Sequence, residues 1–210
     1  SLPVFAWMER SGFYILFTAS VRNRLKFRRT VGKIIPNDVG RKKQKERNPM
    51  GRTGIIGAME EEVALLKEKM EIEVVVKKAS MEFYQGLLGG REIVVVRSGI
   101  GKVNAGLCAQ ILVDVFNVNR LINTGIAGSL KSEINIGDIV ISSDALQHDV
   151  DARSFGYARG EIPRMDTVAF PADPELVAMA KVACEEANPE IQAFVGRVVT
   201  GDQFVAERSV

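Results

Sequence analysis

The hydrophobic pattern first becomes regular at Thr53. Gly54-Ile55-Ile56-Gly57-Ala58-Met59 is apolar, glycine-punctuated and uncharged, and it turns at Glu60-Glu61-Glu62 into apolar residues at helical spacing. That sequence of patterns predicts a buried strand, a tight turn and a helix, the opening unit of an α/β sheet. β-branched and aromatic runs predict strands over Ile72–Val76, Phe83–Leu88 and Glu92–Arg97, with a hairpin at Gly90-Arg91 between the last two. A helix is predicted over Gly101–Phe116, with Val103, Leu107, Ile111 and Val115 on one face. Strands follow over Arg120–Thr124 and Asp138–Ser142. A helix is predicted over Asp173–Ala187, capped by Asp173 with Pro174 at its first position, and a strand over Phe194–Thr200. Strands interleaved with helices in this way predict an α/β fold with a mixed central sheet flanked by helices. The last strand ends close to Val210, which would leave one side of the sheet uncovered. The domain is therefore expected to be incomplete at the C-terminus.

Charge divides the chain. Residues 1–49 hold twelve Lys and Arg against three Asp and Glu, and the remainder holds sixteen against twenty-three. The first part ends in Arg41-Lys42-Lys43-Gln44-Lys45-Glu46-Arg47 and lacks sustained periodicity, so 1–49 is expected to be a basic, disordered extension outside the domain of residues 50–210. Its short apolar run, Gly12 to Val21, has charges on both sides and is a poor signal peptide. An acidic body argues against nucleic-acid binding by the core. No apolar run reaches transmembrane length, so no membrane partner is expected. With 46% hydrophobic residues, the chain is long enough to bury a sizeable core. Cys108 and Cys184 form no CxxC and are read as free thiols in a reducing, cytoplasmic setting.

Open α/β sheets bind ligands outside the carboxyl ends of their strands, and Met59 to Glu62 fall at that place. Acids in a first helical turn also complement the helix dipole, so the triplet has a purely structural alternative. Gly99 and Gly101 precede a helix, but a dinucleotide fingerprint needs a third glycine where Asn104 stands. These glycines are read as permitting a tight turn. His148, the single histidine, lies near Asp149 and Asp151 on one short stretch, which gives no closed metal-ligand set. It is read as a structural hydrogen-bonding residue. No serine–histidine–acid signature suggests an ester or amide hydrolase.

Several stretches recur in a known order: Gly54 to Val63, Ser98-Gly99-Ile100-Gly101-Lys102-Val103-Asn104-Ala105, Asn123-Thr124-Gly125-Ile126-Ala127-Gly128, Gly137-Asp138-Ile139-Val140, His148-Asp149 through Phe155-Gly156-Tyr157, and Thr200-Gly201-Asp202-Gln203-Phe204-Val205. In that order they resemble the 5′-methylthioadenosine/S-adenosylhomocysteine nucleosidases of the purine nucleoside phosphorylase-like superfamily. The resemblance covers about Met50 to Val210. It implies a nucleoside phosphorylase-like fold and hydrolysis of the N9–C1′ bond of both nucleosides, as in methionine salvage and removal of a methyl-cycle by-product. Glu62 matches the general base, leaving Glu60 and Glu61 to start the helix. Met59, Ala127, Gly128, Phe204 and Val205 match substrate-binding positions, Phe204 as the aromatic that stacks on adenine. Ala152, Phe155 and Pro163 match positions that line the partner's alkylthio pocket in a homodimer. The family usually carries a small hydroxyl residue where Ile126 stands, which puts one side-chain contact in doubt. Asp202 matches a structural position. The aspartate that protonates adenine, and a Met-Glu pair that grips the ribose, are implied past Val210, so the 210-residue chain by itself is expected to be inactive. No metal or organic cofactor is implied. Alternatives in the same superfamily are a futalosine-type hydrolase and a nucleoside phosphorylase. A non-catalytic nucleoside-binding protein is the alternative from another class.

Overall fold

The computed structural model describes residues 14–20, by their backbone, and residues 51–205. Its elements run β1 Tyr14–Ser20, β2 Arg52–Gly57, α1 Glu60–Lys69, β3 Glu71–Lys78, β4 Met81–Leu88, β5 Arg91–Arg97, α2 Lys102–Asp114, β6 Val118–Ile126, β7 Ile139–Gln147, β8 Phe170–Pro171, α3 Pro174–Ala187 and β9 Ala193–Thr200. One nine-stranded mixed sheet takes them in the order β3-β4-β5-β2-β6-β1-β7-β8, with β9 also paired to β7. β2 lies parallel to both β5 and β6. The hairpin β4–β5 turns through Gly89 and Gly90, both at positive φ, which a glycine adopts without steric cost.

Period-two alternation assigns the two faces of the sheet. Ile56, Val94 and Val96 pack with Phe83, Cys108, Leu112 and Phe116 under α2. Their neighbours Ile55, Ile93 and Val95 pack with Val63 and Met70 under α1 on the other face. α3 covers Ile141 through Ala180 and Cys184, and Ile122 touches both this cluster and the one under α1. Val94, Val95 and Val96 are fully buried, because β5 is covered on both sides. The edge strand β3 leaves Ile72, Val74 and Val75 part-exposed, interleaved with Glu71, Glu73, Lys77 and Lys78, charges that discourage edge-to-edge pairing. Both cysteines are buried and free; burial pushes the Cys108 thiol up to about 12, and burial with a lesser effect of Glu185 pushes Cys184 up to about 11.

Two expectations change. The α2 stripe meets the core only at Ile111: Val103 is 81% exposed, Leu107 and Val115 are exposed, and the helix's other buried residues are Cys108 and Leu112. A strict four-residue repeat drifts around a helix of 3.6 residues per turn, so its members cannot all share one buried face. The second change concerns the extension. Tyr14–Ser20 forms β1, antiparallel to β6 and parallel to β7, so these seven residues are not disordered but bridge the two halves of the sheet. An uncharged run of Tyr, Ile, Leu, Phe and Thr has strand propensity, whatever the charge around it. A chain begun at Met50 would lose this strand and leave β6 and β7 without it. The rest of 1–49 lies outside the described residues.

The cap on α3 stands as expected. The Asp173 carboxylate accepts from the amides of Glu175 (3.0 Å) and Leu176 (3.2 Å). Asp173→Ala is expected to destabilise the fold by about 1 kcal/mol. A urea unfolding series would register this as a lower midpoint at unchanged slope, and an unchanged midpoint would rule the cap out as a stabilising contact.

Candidate active site

The site is built where β2 and β6 end side by side. β2 runs into Gly57-Ala58-Met59 and then α1, so Glu62 occupies the third helical position with its side chain folded back toward the helix start. One carboxylate oxygen, Oε2, accepts from the amides of Ala58 (2.6 Å) and Met59 (2.9 Å). The other, Oε1, accepts from the amide of Ile126 at the end of β6 (3.0 Å). Glu62 is only 6% exposed, whereas Glu60 and Glu61 face solvent. Glu60 pairs with Lys67 and lies 3.9 Å from Arg97, which is a surface role. The triplet thus separates in geometry: two acids face solvent at the helix start and one is drawn inward.

Glycine is required around that carboxylate. A Cβ on Gly125 would lie 2.7 Å from Glu62 Oε1, and one on Gly57 would lie 2.6 Å from Val63 Cγ1 and 3.0 Å from Glu62 Cβ. The loop after β5 closes over the same place. Ser98 donates its amide to the Gly57 carbonyl (2.8 Å), and its hydroxyl to the Gly57 and Gly99 carbonyls (3.3 and 2.9 Å).

The remaining sequence-derived residues are distributed as follows. Met59 is half-buried at the start of α1 and holds Glu62 through its amide. Ala127 is half-buried and Gly128 exposed just beyond β6, with open space where a Gly128 Cβ would be. Phe204 is 97% exposed and Val205 is also exposed. Ala152 is buried within its own chain, while Phe155 is 82% exposed and Pro163 is exposed. His148 donates its main-chain amide to Thr200 (3.0 Å), and its ring lies against Gly201, where a Cβ would come within 2.5 Å of Nε2. Main-chain bonding and packing, then, are what it supplies.

A family profile described as Phosphorylase superfamily matches residues 52–209. A curated 5′-methylthioadenosine/S-adenosylhomocysteine nucleosidase of Staphylococcus carnosus is 44% identical over 156 residues, covering 74% of this chain and 67% of the relative. The chain belongs to this nucleosidase family of the phosphorylase superfamily. It spans about two thirds of the length of such relatives, 67% of the first and 65% of one from Staphylococcus haemolyticus. Among solved structures, a nucleosidase of the same family from Colwellia psychrerythraea in complex with adenine superposes with a TM-score of 0.73 at 43% identity, covering 78% of this chain and 67% of that one. A futalosine hydrolase mutant of Helicobacter pylori superposes at 0.70 with 31% identity, covering 76% and 71%. In the nucleosidase family's terms, the fold expected from the sequence is the one observed.

Two participants were not legible in the sequence. Ile126 departs from the family's usual hydroxyl residue, yet its main-chain amide holds Glu62, a contact any residue but proline supplies. Lys102 joins Gln147, Asp149 and Asp202, residues far apart in the chain. The Gly-x-Gly-Lys spacing marks Lys102 as the start of α2, but not what it meets.

Proposed function

We propose that the protein hydrolyses the N9–C1′ bond of 5′-methylthioadenosine and S-adenosylhomocysteine, giving adenine and the thioribose. The observation that carries this reading is the buried Glu62 carboxylate, held by three main-chain donors at the ends of β2 and β6. A carboxylate fixed there can take a proton from water as the water oxygen bonds to C1′ and the electron pair of the C1′–N9 bond leaves with adenine. Protonation of adenine at N7 would let it depart neutral. Phe204, a flat apolar ring, suits a purine face, and its exposure leaves that face available.

Within the superfamily, phosphorolysis is disfavoured by Glu62 itself. A carboxylate at the attacking face repels phosphate, with Glu60 and Glu61 adding negative charge nearby. The futalosine reading is weaker, because the curated relatives at 42–44% identity carry the nucleosidase name, whereas at 31% identity Helicobacter pylori proteins carry both names. The deciding assay uses protein spanning the full length of the relatives and follows adenine release from methylthioadenosine, with and without phosphate. Adenine and free thioribose at a phosphate-independent rate are expected. Sugar phosphate as product would overturn the hydrolase reading, and binding without turnover would leave only a nucleoside-binding protein.

The same reading includes a cytoplasmic homodimer. Two buried free thiols suit a reducing compartment, and among the described residues no helix is long and apolar enough to cross a membrane. Phe155, an aromatic ring 82% exposed, suits a place in a partner's apolar pocket for the alkylthio group. Phe155→Ala is therefore expected to raise KM several-fold for thioether nucleosides and little for adenosine. Equal changes for both substrates would assign Phe155 to local packing.

A further inference from the structure

We propose that Lys102 is a positioning residue: with Asp149 and Asp202 it forms a strut that holds the segment bearing Phe204 and Val205 in fixed relation to the Glu62 wall. The inference rests on the nucleoside reading of Phe204 and deepens it. Lys102 Nζ donates to both oxygens of Asp149 (2.7 and 2.9 Å) and to Gln147 Oε1 (3.0 Å). It lies 3.8 Å from Asp202 Oδ2. The main chain reinforces each link. The Lys102 amide donates to Asp202 Oδ1 (2.8 Å), and the Asp202 amide donates to Asp149 Oδ2 (2.9 Å). Gly201 permits this closeness, since a Cβ there would meet His148 at 2.5 Å and Asp149 Cγ at 3.0 Å. The Lys102 ammonium and the Asp202 amide hold the Asp149 carboxyl below the usual aspartate range, so it is ionised at neutral pH.

The strut matters because of where its other end leads. Lys102 closes the loop that Ser98 opens, and Ser98 is bonded to Gly57, one residue before the amides that grip Glu62. One five-residue loop thus ties the catalytic carboxylate to the end of β7 and, through Asp202, to the residues immediately before Phe204. The segment it anchors has no other strand beyond β9 in the described residues, and Phe204 itself is exposed, so these bonds carry its placement.

In protein spanning the full length of the relatives, the test compares wild type, Lys102→Met and Lys102→Arg by amide hydrogen exchange and by calorimetric titration with adenine. Lys102→Met is expected to speed exchange at Asp202 to Val205 about tenfold and to weaken adenine binding about tenfold, the scale of a hydrogen bond to a charge. Exchange at Ile126, beside Glu62, should stay unchanged, and Lys102→Arg should recover most of both losses. Unaltered exchange at 202–205 would overturn the strut. So would equal loosening at Ile126, which marks a general loss of structure, or failure of Lys102→Arg to recover either quantity. Wild-type protein that binds no adenine, with exchange behaving as expected, would overturn the nucleoside reading and with it the purine role of the strut.

Discussion

Glu62→Gln is expected to lower kcat for adenine release from methylthioadenosine by ~10²–10⁴-fold, the range of a positioned general base. The substitution keeps the volume and one acceptor oxygen, so substrate affinity should change little. What it removes is the group that receives the proton from water. Glu60→Gln and Glu61→Gln provide the comparison, because both side chains are exposed and Glu60 is engaged with Lys67 on the surface. Each should cost less than about 1 kcal/mol, as for exposed ion pairs and helix-start charges. The measurement is kcat and KM for all three variants in protein spanning the full length of the relatives. A Glu62→Gln enzyme within a few-fold of wild type, or three variants equally impaired, would remove the water-activating role from Glu62.

Glu62 was singled out from the triplet by the family resemblance, while the local pattern marked only where the triplet would fall. A strand end, a turn and a helix start place it within one short stretch, and the pattern of apolar and charged residues marks all three. The same locality made α3 readable, where Asp173 and Pro174 announce the helix start. What stayed hidden depends on non-local pairing. Nothing around Tyr14 says that it pairs with Ile126 and with Ile139, each more than a hundred residues away in the chain, and the dense charge nearby pointed to disorder instead. The α2 face was misjudged because four-residue spacing alone does not say which side a sheet will cover; Cys108 and Leu112, not Val103 and Leu107, meet Phe83 and Val94. The third donor to Glu62 is a main-chain amide, invisible to any reading of side-chain types. The Lys102 strut joins the start of α2 to the ends of β7 and β9, which only the folded sheet brings together.

Gly125→Ala is expected to lower kcat roughly 10- to 100-fold, equivalent to losing a hydrogen bond to a charged group worth ~1.5–3 kcal/mol. The added Cβ would stand 2.7 Å from Glu62 Oε1, closer than Cβ atoms come to such an atom, and 3.1 Å from its Cδ. The carboxylate has to turn away from β6, which breaks its bond from the Ile126 amide while the bonds from Ala58 and Met59 can persist. Gly106→Ala is the matched comparison: it lies within α2 with nothing near its added carbon, so alanine there should leave kcat unchanged and raise stability by about 0.5–1 kcal/mol. Because Gly125→Ala acts through the carboxylate, its effect should largely vanish in a Glu62→Gln background. Kinetics of the two single variants and the double variant measure this directly. Full additivity would show that Gly125 serves the site by some route other than the position of Glu62. An unchanged kcat in Gly125→Ala would show that the three-donor geometry around the carboxylate is not needed for turnover.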